Sequence, residues 1–275
     1  MPTIPAEGSH PSRPEPHQLR AVAESFGVDA ERYHRTRPRY PAALIDRIVA
    51  TSPGRDVLDV GAGTGIAGQQ LQAAGCRVLG VEPDPRMAEF ARRGGLEVEV
   101  ATFETWEPAG RQFDSVVAGT SWHWVDPVAG AAKAAQALRP GGRIALFWHA
   151  FQPQPGLTEA FGAVLRRVAP HLPVPIKTGG QALDAYQAMM TTAADGMRQA
   201  GGFDDPEQWR FDWEHVYSRD AWLDQVPTQG LFTRLPADTL AQVLAGLGDA
   251  IDALGGSFTM SYATVAVTAR RTAIG

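Results

Sequence analysis

With a single cysteine, Cys76, in 275 residues, the chain has no thiol available for an internal disulfide, which suits a reducing, cytoplasmic setting. Lysine is nearly as scarce: Lys133 and Lys177 are the only two, and arginine carries the remaining basic charge. A net charge of −5 leaves no footprint for a phosphate backbone, whose binding is largely electrostatic, so nucleic acid is not an expected partner. No window approaches the ~18 apolar residues a membrane span requires, and the first residues lack the apolar core of a secretion signal. The histidines are scattered, and no Cys/His/Asp cluster has ligand spacing, so no metal is expected. One local basic run, Arg32, Arg35, Arg37 and Arg39, reads as a solvated face or as a set of partners for carboxylates.

Hydrophobic residues make up 44% of the chain, sufficient for one large domain or a domain with a cap. The organising stretch is Val57-Leu58-Asp59-Val60-Gly61-Ala62-Gly63-Thr64-Gly65, an apolar run ending in three alternate glycines. Ile66 to Ala74 then runs free of proline. This reads as a buried strand that turns sharply into a helix, with the Asp59 carboxylate and the first-turn N–H groups facing one crevice. Such a crevice suits a nucleotide-like ligand. A dinucleotide fingerprint needs a glycine where Ile66 stands, which disfavours a nicotinamide-dependent oxidoreductase, and a phosphate-cradling loop needs a nearby lysine that is absent.

Residues 1–17 carry five prolines and little to bury, so a disordered tail is expected, followed by a helical N-terminal lid over 18–54 that begins with a helix at Gln18–Phe26. Strands are expected at about Arg55–Val60, Arg77–Glu82, Leu96–Val100, Phe113–Ala118 and Arg143–Trp148. Helices at Asp84-Pro85 and Asp126-Pro127 open with an acidic N-cap and proline in the first turn. Glu82, about twenty residues beyond the glycine turn, ends the second strand, where a carboxylate can accept both hydroxyls of a ribose. Strands alternating with helices argue for a parallel, doubly wound α/β sheet. Residues 151–202 break the rhythm with two helices, about 156–168 and 182–200, separated by Pro170, Pro173 and Pro175; they read as a helical substrate cap inserted after strand five. The sheet domain, 55–150 and 203–275, resumes with Gln208–Tyr217, helices at Ala221–Val226 and Ala237–Leu254, and an alternating strand, Phe258–Ala269, that closes the sheet in antiparallel sense.

The chain resembles the class I S-adenosylmethionine-dependent methyltransferases over nearly its whole length, and more narrowly the trans-aconitate-methyltransferase-like, type 11 branch. The matching blocks are Tyr33…Arg37-Pro38-x-Tyr40-Pro41, Val57–Gly65, Val81-Glu82-Pro83-Asp84, Phe113-Asp114, His123-Trp124-x-Asp126 and Leu138-Arg139-Pro140-Gly141-Gly142. The resemblance implies a Rossmann-like seven-stranded sheet of order 3-2-1-4-5-7-6, with S-adenosyl-L-methionine as cofactor and a small-molecule acceptor. It places Asp59, Gly61, Ala62 and Gly63 at the methionine part and Glu82 at the ribose. Pro83, Asp84, Arg86 and Met87 would flank the adenine. Thr102-Phe103-Glu104 stands where an acidic residue often meets the adenine amino group, and the contact is open between backbone, Phe103 stacking and Glu104. Ser121 and Trp122 would lie near the sulfonium.

His123 is the best-placed candidate base if the acceptor must lose a proton, and it reads equally as a packed histidine. The rings of Trp122, Trp124 or Tyr33 could meet the positive sulfur. Tyr33 and Tyr40 read as lid residues or as anchors of the N-terminal helix, and Arg37 as a partner of the cofactor carboxylate or a surface arginine. Leu183, Tyr186, Met190 and Met197 share a helical face that reads as core ahead of a pocket wall. The function expected is methylation of a small molecule, in the setting of natural-product biosynthesis, with oligomeric state open and a homodimer allowed. A cofactor-binding relative that no longer methylates, for example a cyclase, would carry the same pocket.

Overall fold

The computed structural model describes residues 24–172 and 180–272. The expected disordered tail, most of the Gln18–Phe26 helix, and Pro173 and Pro175 between the cap helices lie outside the described residues. The described end of that first segment, Glu24–Asp29, is a 3-10 turn rather than an α-helix. Asp29 then caps helix α1, Ala30–Thr36, by accepting from the Arg32 amide.

Helix α2, Ala42–Thr51, follows and buries Leu44, Ile45 and Ile48. The core then alternates: β1 Asp56–Val60, α3 Ile66–Ala73, β2 Arg77–Glu82, α4 Pro85–Arg93, β3 Glu97–Val100, β4 Phe113–Gly119, α5 Pro127–Ala137 and β5 Leu138–Gln152. Helices α6 Pro155–Val168 and α7 Gly180–Ala200 precede β6 Glu207–Ser218, α8 Arg219–Gln225, α9 Ala237–Ala253 and β7 Ser257–Arg270. Both expected acidic N-caps form: Asp84 accepts from the Arg86 amide, and Asp126 from Val128 and Ala129.

The seven strands are ordered β3-β2-β1-β4-β5-β7-β6, as the resemblance implies. β1 pairs in parallel with both β2 and β4, so the chain switches direction across the sheet at the carboxyl end of β1, which in open α/β sheets is where a crevice forms. β7 runs antiparallel to β5 and β6. Strand five is longer than its apolar run, continuing to Gln152 because β7 supplies a partner as far as Ser261.

Alternation along the strands builds two cores. Leu58, Val60, Val116, Ile144 and Leu146 face one side, and Val57, Val117, Ala145 and Phe147 face the other against α2 and α3. Burying a side chain such as Leu44 or Leu71 contributes ~1.5–3 kcal/mol. Packing divides the expected 151–202 cap. Helix α7 carries Met190, Ala193, Ala194 and Met197 into the core on the first face, so its buried half covers the sheet. Helix α6 instead joins α8, α9 and the ends of β6 and β7 in a third cluster around Trp222, Val243, Leu247 and Tyr262. The layer above the strand ends is therefore drawn from separated segments, because a helix with one apolar face settles on whichever layer completes that face. Among the described residues no helix is long and apolar enough to cross a membrane.

Candidate functional site

The turn after β1 depends on two glycines. Gly61 and Gly63 have φ of +66° and +55°, a left-handed conformation that side chains disfavour. A Cβ on Gly61 would lie 2.5 Å from the Ser121 Cβ, whereas one on Gly63 would meet no protein atom and point into open space. Ser121 is held in that position by donating its hydroxyl to the Val60 carbonyl at 2.6 Å. The turn amides expected to face a ligand are largely taken. Gly61 and Ala62 donate to the Val81 carbonyl, Gly63 to Glu82 at 2.8 Å, and Gly65 to the Ala62 carbonyl.

Around this turn opens a cavity of about 500 Å³. Of the residues singled out from sequence, Tyr33, Arg37, Asp59, Gly61, Ala62, Gly63, Glu82, Pro83, Met87, Thr102, Phe103, Glu104, Ser121 and His123 line it. Two do not. Arg86 turns back on its own helix start, with its guanidinium 2.7 Å from Asp84. Trp122 is buried in the core against Phe103, its indole N–H without a partner. Trp124 faces the cavity in its place, its ring 4.7 Å from that of His123.

The carboxylates at the strand ends set the electrostatics of the near half. Both oxygens of Asp59 are buried without a well-aligned hydrogen bond. Burial, and then the neighbouring Glu82, push its carboxyl up to about 7, against an opposing pull from the Gly68 amide. Glu82 accepts from the amides of Gly63 and Asp84, yet burial still raises it to about 7. Asp84 is buried as well, but hydrogen bonds from Arg86 outweigh the desolvation and hold it below the usual carboxylate range. A buried carboxylate with so little hydrogen bonding is costly, and Asp59 therefore fits a ligand that brings a cation or donors.

His123 sits at the end of β4 with Nδ1 accepting from the Trp148 indole at 3.3 Å. That contact leaves Nε2 to carry the ring proton. Burial lowers the ring to about 4, so at neutral pH it is an uncharged donor and a poor base. The expectation of a candidate base thus meets a geometry better suited to donating a hydrogen bond.

The far half of the cavity was barely visible in sequence. Tyr40 is buried between strand ends: its hydroxyl lies 3.1 Å from the Thr120 hydroxyl and its ring stacks on His149 at 4.4 Å. It is an anchor and no mobile lid. Thr120 has φ +56°, a strained conformation for a β-branched residue that recurs at functional sites. His149, Phe151, Tyr186, Trp222, Gln225 and Tyr262 complete the wall. They come from β5, α7, α8 and β7 and belong to no motif, so no local pattern could have flagged them together. Tyr186, expected as core, does both: it packs on the first core cluster and reaches the cavity.

The N-terminal segment closes over this space. Arg32 and Arg35 both grip Asp224 of α8, at 3.0 and 2.6 Å. Arg37 stacks over Tyr33, 4.7 Å from the ring centroid, and donates to the Thr228 carbonyl. His34 ties α1 to the glycine turn through Thr64, at 3.1 Å, and meets Arg39 with its other nitrogen.

Comparison with known proteins agrees with this architecture. The methyltransferase domain family matches residues 33–251. An uncharacterized methyltransferase of Mycobacterium tuberculosis is 36% identical over 151 residues, which cover 54% of this chain and 61% of the relative. A ubiquinone biosynthesis O-methyltransferase of Methylocella silvestris is 36% identical over 96 residues, 32% of this chain and 38% of that protein. The chain thus spans less than two thirds of the length of these curated relatives. A solved structure from Anaeromyxobacter dehalogenans, named as a type II methyltransferase, superposes with a TM-score of 0.58 at 24% identity, covering 86% of this chain and 99% of that one. At that identity the likeness speaks for the fold. With a glycine turn, buried carboxylates and a cavity at the β1/β4 switch point, and a family match across most of its length, the chain belongs to the methyltransferase domain family.

Proposed function

We propose that the protein transfers a methyl group from S-adenosylmethionine to a small organic acceptor held in the far half of the cavity. The observation that carries this reading is Asp59, whose buried carboxylate has no hydrogen bond beyond a poorly aligned one from the Gly68 amide and which lines the same cavity as Gly63 and Glu82. The residues fit the cofactor. Asp59 offers two acceptor oxygens to an ammonium group, Glu82 keeps lone pairs for ribose hydroxyls beyond the two amides it already accepts, and Met87 supplies an apolar wall. The Gly63 position leaves room for close approach.

Bound there, S-adenosylmethionine supplies a methyl group on a positively charged sulfur that is electrophilic without protein assistance. The work left to the protein is alignment and exclusion of water, effects that can contribute several kcal/mol to lowering a barrier. Ser121, fixed by Val60, and Thr120, fixed by Tyr40, shape the passage between the two halves. Trp124 lines the cavity beside His123 and supplies an aromatic ring of the kind that suits a sulfonium. His123 holds a proton at Nε2 and so orients an acceptor oxygen through donation.

Calorimetric titration of the purified protein with S-adenosylmethionine tests the reading, with NAD and a Glu82→Ala variant as comparisons. Micromolar binding, weakened by Glu82→Ala and absent for NAD, is expected, followed by a mass gain of one methyl on acceptors from a screened panel. Binding of NAD alone would overturn it. Cofactor binding with an unmethylated but rearranged product would identify a non-methylating relative instead.

A further inference from the structure

The cavity has two electrically different ends. Its acidic lining residues, Asp59, Glu82, Asp84 and Glu104, all lie at or just beyond the carboxyl ends of β1, β2 and β3. The other end, bounded by the α1–α2 connection, β5, α7, α8 and β7, has one charged lining residue, Arg37, and no carboxylate among the described residues. Arg37 donates to the Thr228 carbonyl but makes no ion pair among the described residues, and its Nε–H is buried without an acceptor. Its charge acts on Tyr186, Tyr217, Tyr262 and His149, whereas the groups acting on Asp59 and Glu82 do not include it. Arg37 therefore belongs electrostatically to the far end.

Two further buried polar atoms on the same wall lack partners: Trp222 Nε1 and Gln225 Oε1. Trp222 and Gln225 are themselves 7% and 4% exposed, so water does not readily satisfy them. His149 is already engaged, with Nδ1 2.9 Å from the Thr264 hydroxyl and a hydrogen bond from the ring to the Pro38 backbone. The wall thus offers two donors, Arg37 Nε and Trp222 Nε1, and one acceptor, Gln225 Oε1, set among flat rings. A half-buried guanidinium with no carboxylate beside it, and orphaned buried polar atoms, cost free energy until a ligand matches them.

We propose that the methyl acceptor is a planar aromatic compound bearing an ionised oxygen, carboxylate or phenolate, which Arg37 and Trp222 bind while the ring lies among Tyr33, Tyr186 and Tyr262. The proposal rests on the methyltransferase reading above and makes Arg37 an acceptor-binding residue. Gln225 selects a second substituent that donates a hydrogen bond. A cationic acceptor has no carboxylate to meet at this end.

The test is calorimetric titration, with and without saturating S-adenosylhomocysteine, using four naphthalene probes: 3-hydroxy-2-naphthoate, 2,4-dinitro-1-naphthol as the ionised phenol, neutral 2-naphthalenemethanol and cationic 2-naphthylmethylamine. At least one anion should bind about tenfold or more tightly than the neutral alcohol, the range expected for a charge-assisted hydrogen bond, and the amine least of all. The two anions separate carboxylate from phenolate. Arg37→Gln should abolish the anion preference while leaving S-adenosylhomocysteine affinity within about threefold. Should that variant fail to fold, Trp222→Phe removes only the indole donor and should weaken the anion several-fold without changing the neutral probe. Equal binding of anion and alcohol by the wild-type protein overturns the proposal. So does an Arg37→Gln variant that loses S-adenosylhomocysteine and retains the anion. Failure of the wild-type protein to bind S-adenosylhomocysteine would instead refute the methyltransferase reading, and the nucleoside-free titrations would still decide the anion preference.

Discussion

Replacing Gly61, Gly63 and Gly75 singly by alanine separates three costs that the structure assigns to different causes. All three residues have positive φ, at +66°, +55° and +87°, so each alanine carries the left-handed penalty of ~1–2 kcal/mol. At Gly75 nothing lies within 4 Å of the new Cβ, and that penalty is the whole effect. At Gly61 the Cβ would also meet the Ser121 Cβ at 2.5 Å and its hydroxyl at 2.9 Å. Relieving that overlap adds ~1–3 kcal/mol of strain. If Ser121 gives way it loses its buried bond to the Val60 carbonyl, worth ~1 kcal/mol. Gly61→Ala should therefore destabilise by ~2–5 kcal/mol, a large share of the ~5–15 kcal/mol typical of a folded protein. Gly63→Ala should be no less stable than Gly75→Ala, because its Cβ also meets nothing, yet it should bind S-adenosylhomocysteine at least about tenfold more weakly by filling the approach to the turn. Urea unfolding followed by tryptophan fluorescence gives the stabilities, and calorimetry gives the affinities. If Gly61→Ala unfolds at the same urea concentration as Gly75→Ala, the close approach of Ser121 to the turn is refuted. If Gly63→Ala binds as the wild type does, the turn is not where the cofactor lies.

Other outcomes follow from the same groups. Asp59 and Glu82 are raised to about 7 in the fold, above their unfolded values, so between about pH 4 and 7 the folded state holds more protons and stability falls as pH rises. Asp59→Asn should remove part of that loss, making the variant more stable than wild type near pH 8 while weakening cofactor binding; urea midpoints at about pH 5 and 8 check the sign. His123 should remain neutral down to about pH 5, visible as an unchanged ring chemical shift by NMR. His123→Gln should then keep roughly a tenth or more of wild-type turnover, where loss of a true general base would cost ~10²–10⁴-fold. Asp224→Ala should shift the urea midpoint only slightly, because the pairs with Arg32 and Arg35 are partly solvated, but should speed S-adenosylhomocysteine release in stopped-flow displacement. An unchanged release rate would show that the N-terminal segment does not restrain the ligand.

The near half of the site was legible because its chemistry is local. A strand, a sharp turn and a helix follow one another in sequence, so Asp59, Gly61 and Gly63 declare themselves by spacing, and Glu82 declares itself by ending the next strand. The same locality located six of the seven strands to within about a residue at each end, the apolar middle of the fifth, whose strand runs from Leu138 to Gln152 through Pro140-Gly141-Gly142, and both acidic helix caps. Where a residue's role depends on which way its side chain turns, sequence reading was less sure. Trp122 and Trp124 flank His123, and only packing decided that Trp122 fills the core beside Phe103 while Trp124 faces the cavity. Arg86 stands beside the expected adenine site, but its nearest carboxylate, Asp84, claims it.

The sequence by itself determined the sheet, its order through resemblance, and the carboxylate end of the cavity, since hydrophobic period and turn chemistry act over a few residues. Only the tertiary structure decided the far end. Arg37, His149, Tyr186, Trp222, Gln225 and Tyr262 stand far apart along the chain and meet because β5 and β7 pair while α7 and α8 pack on their faces and ends. Such a wall has no period and no spacing to read: it is set by which apolar faces must cover one another once the sheet has formed.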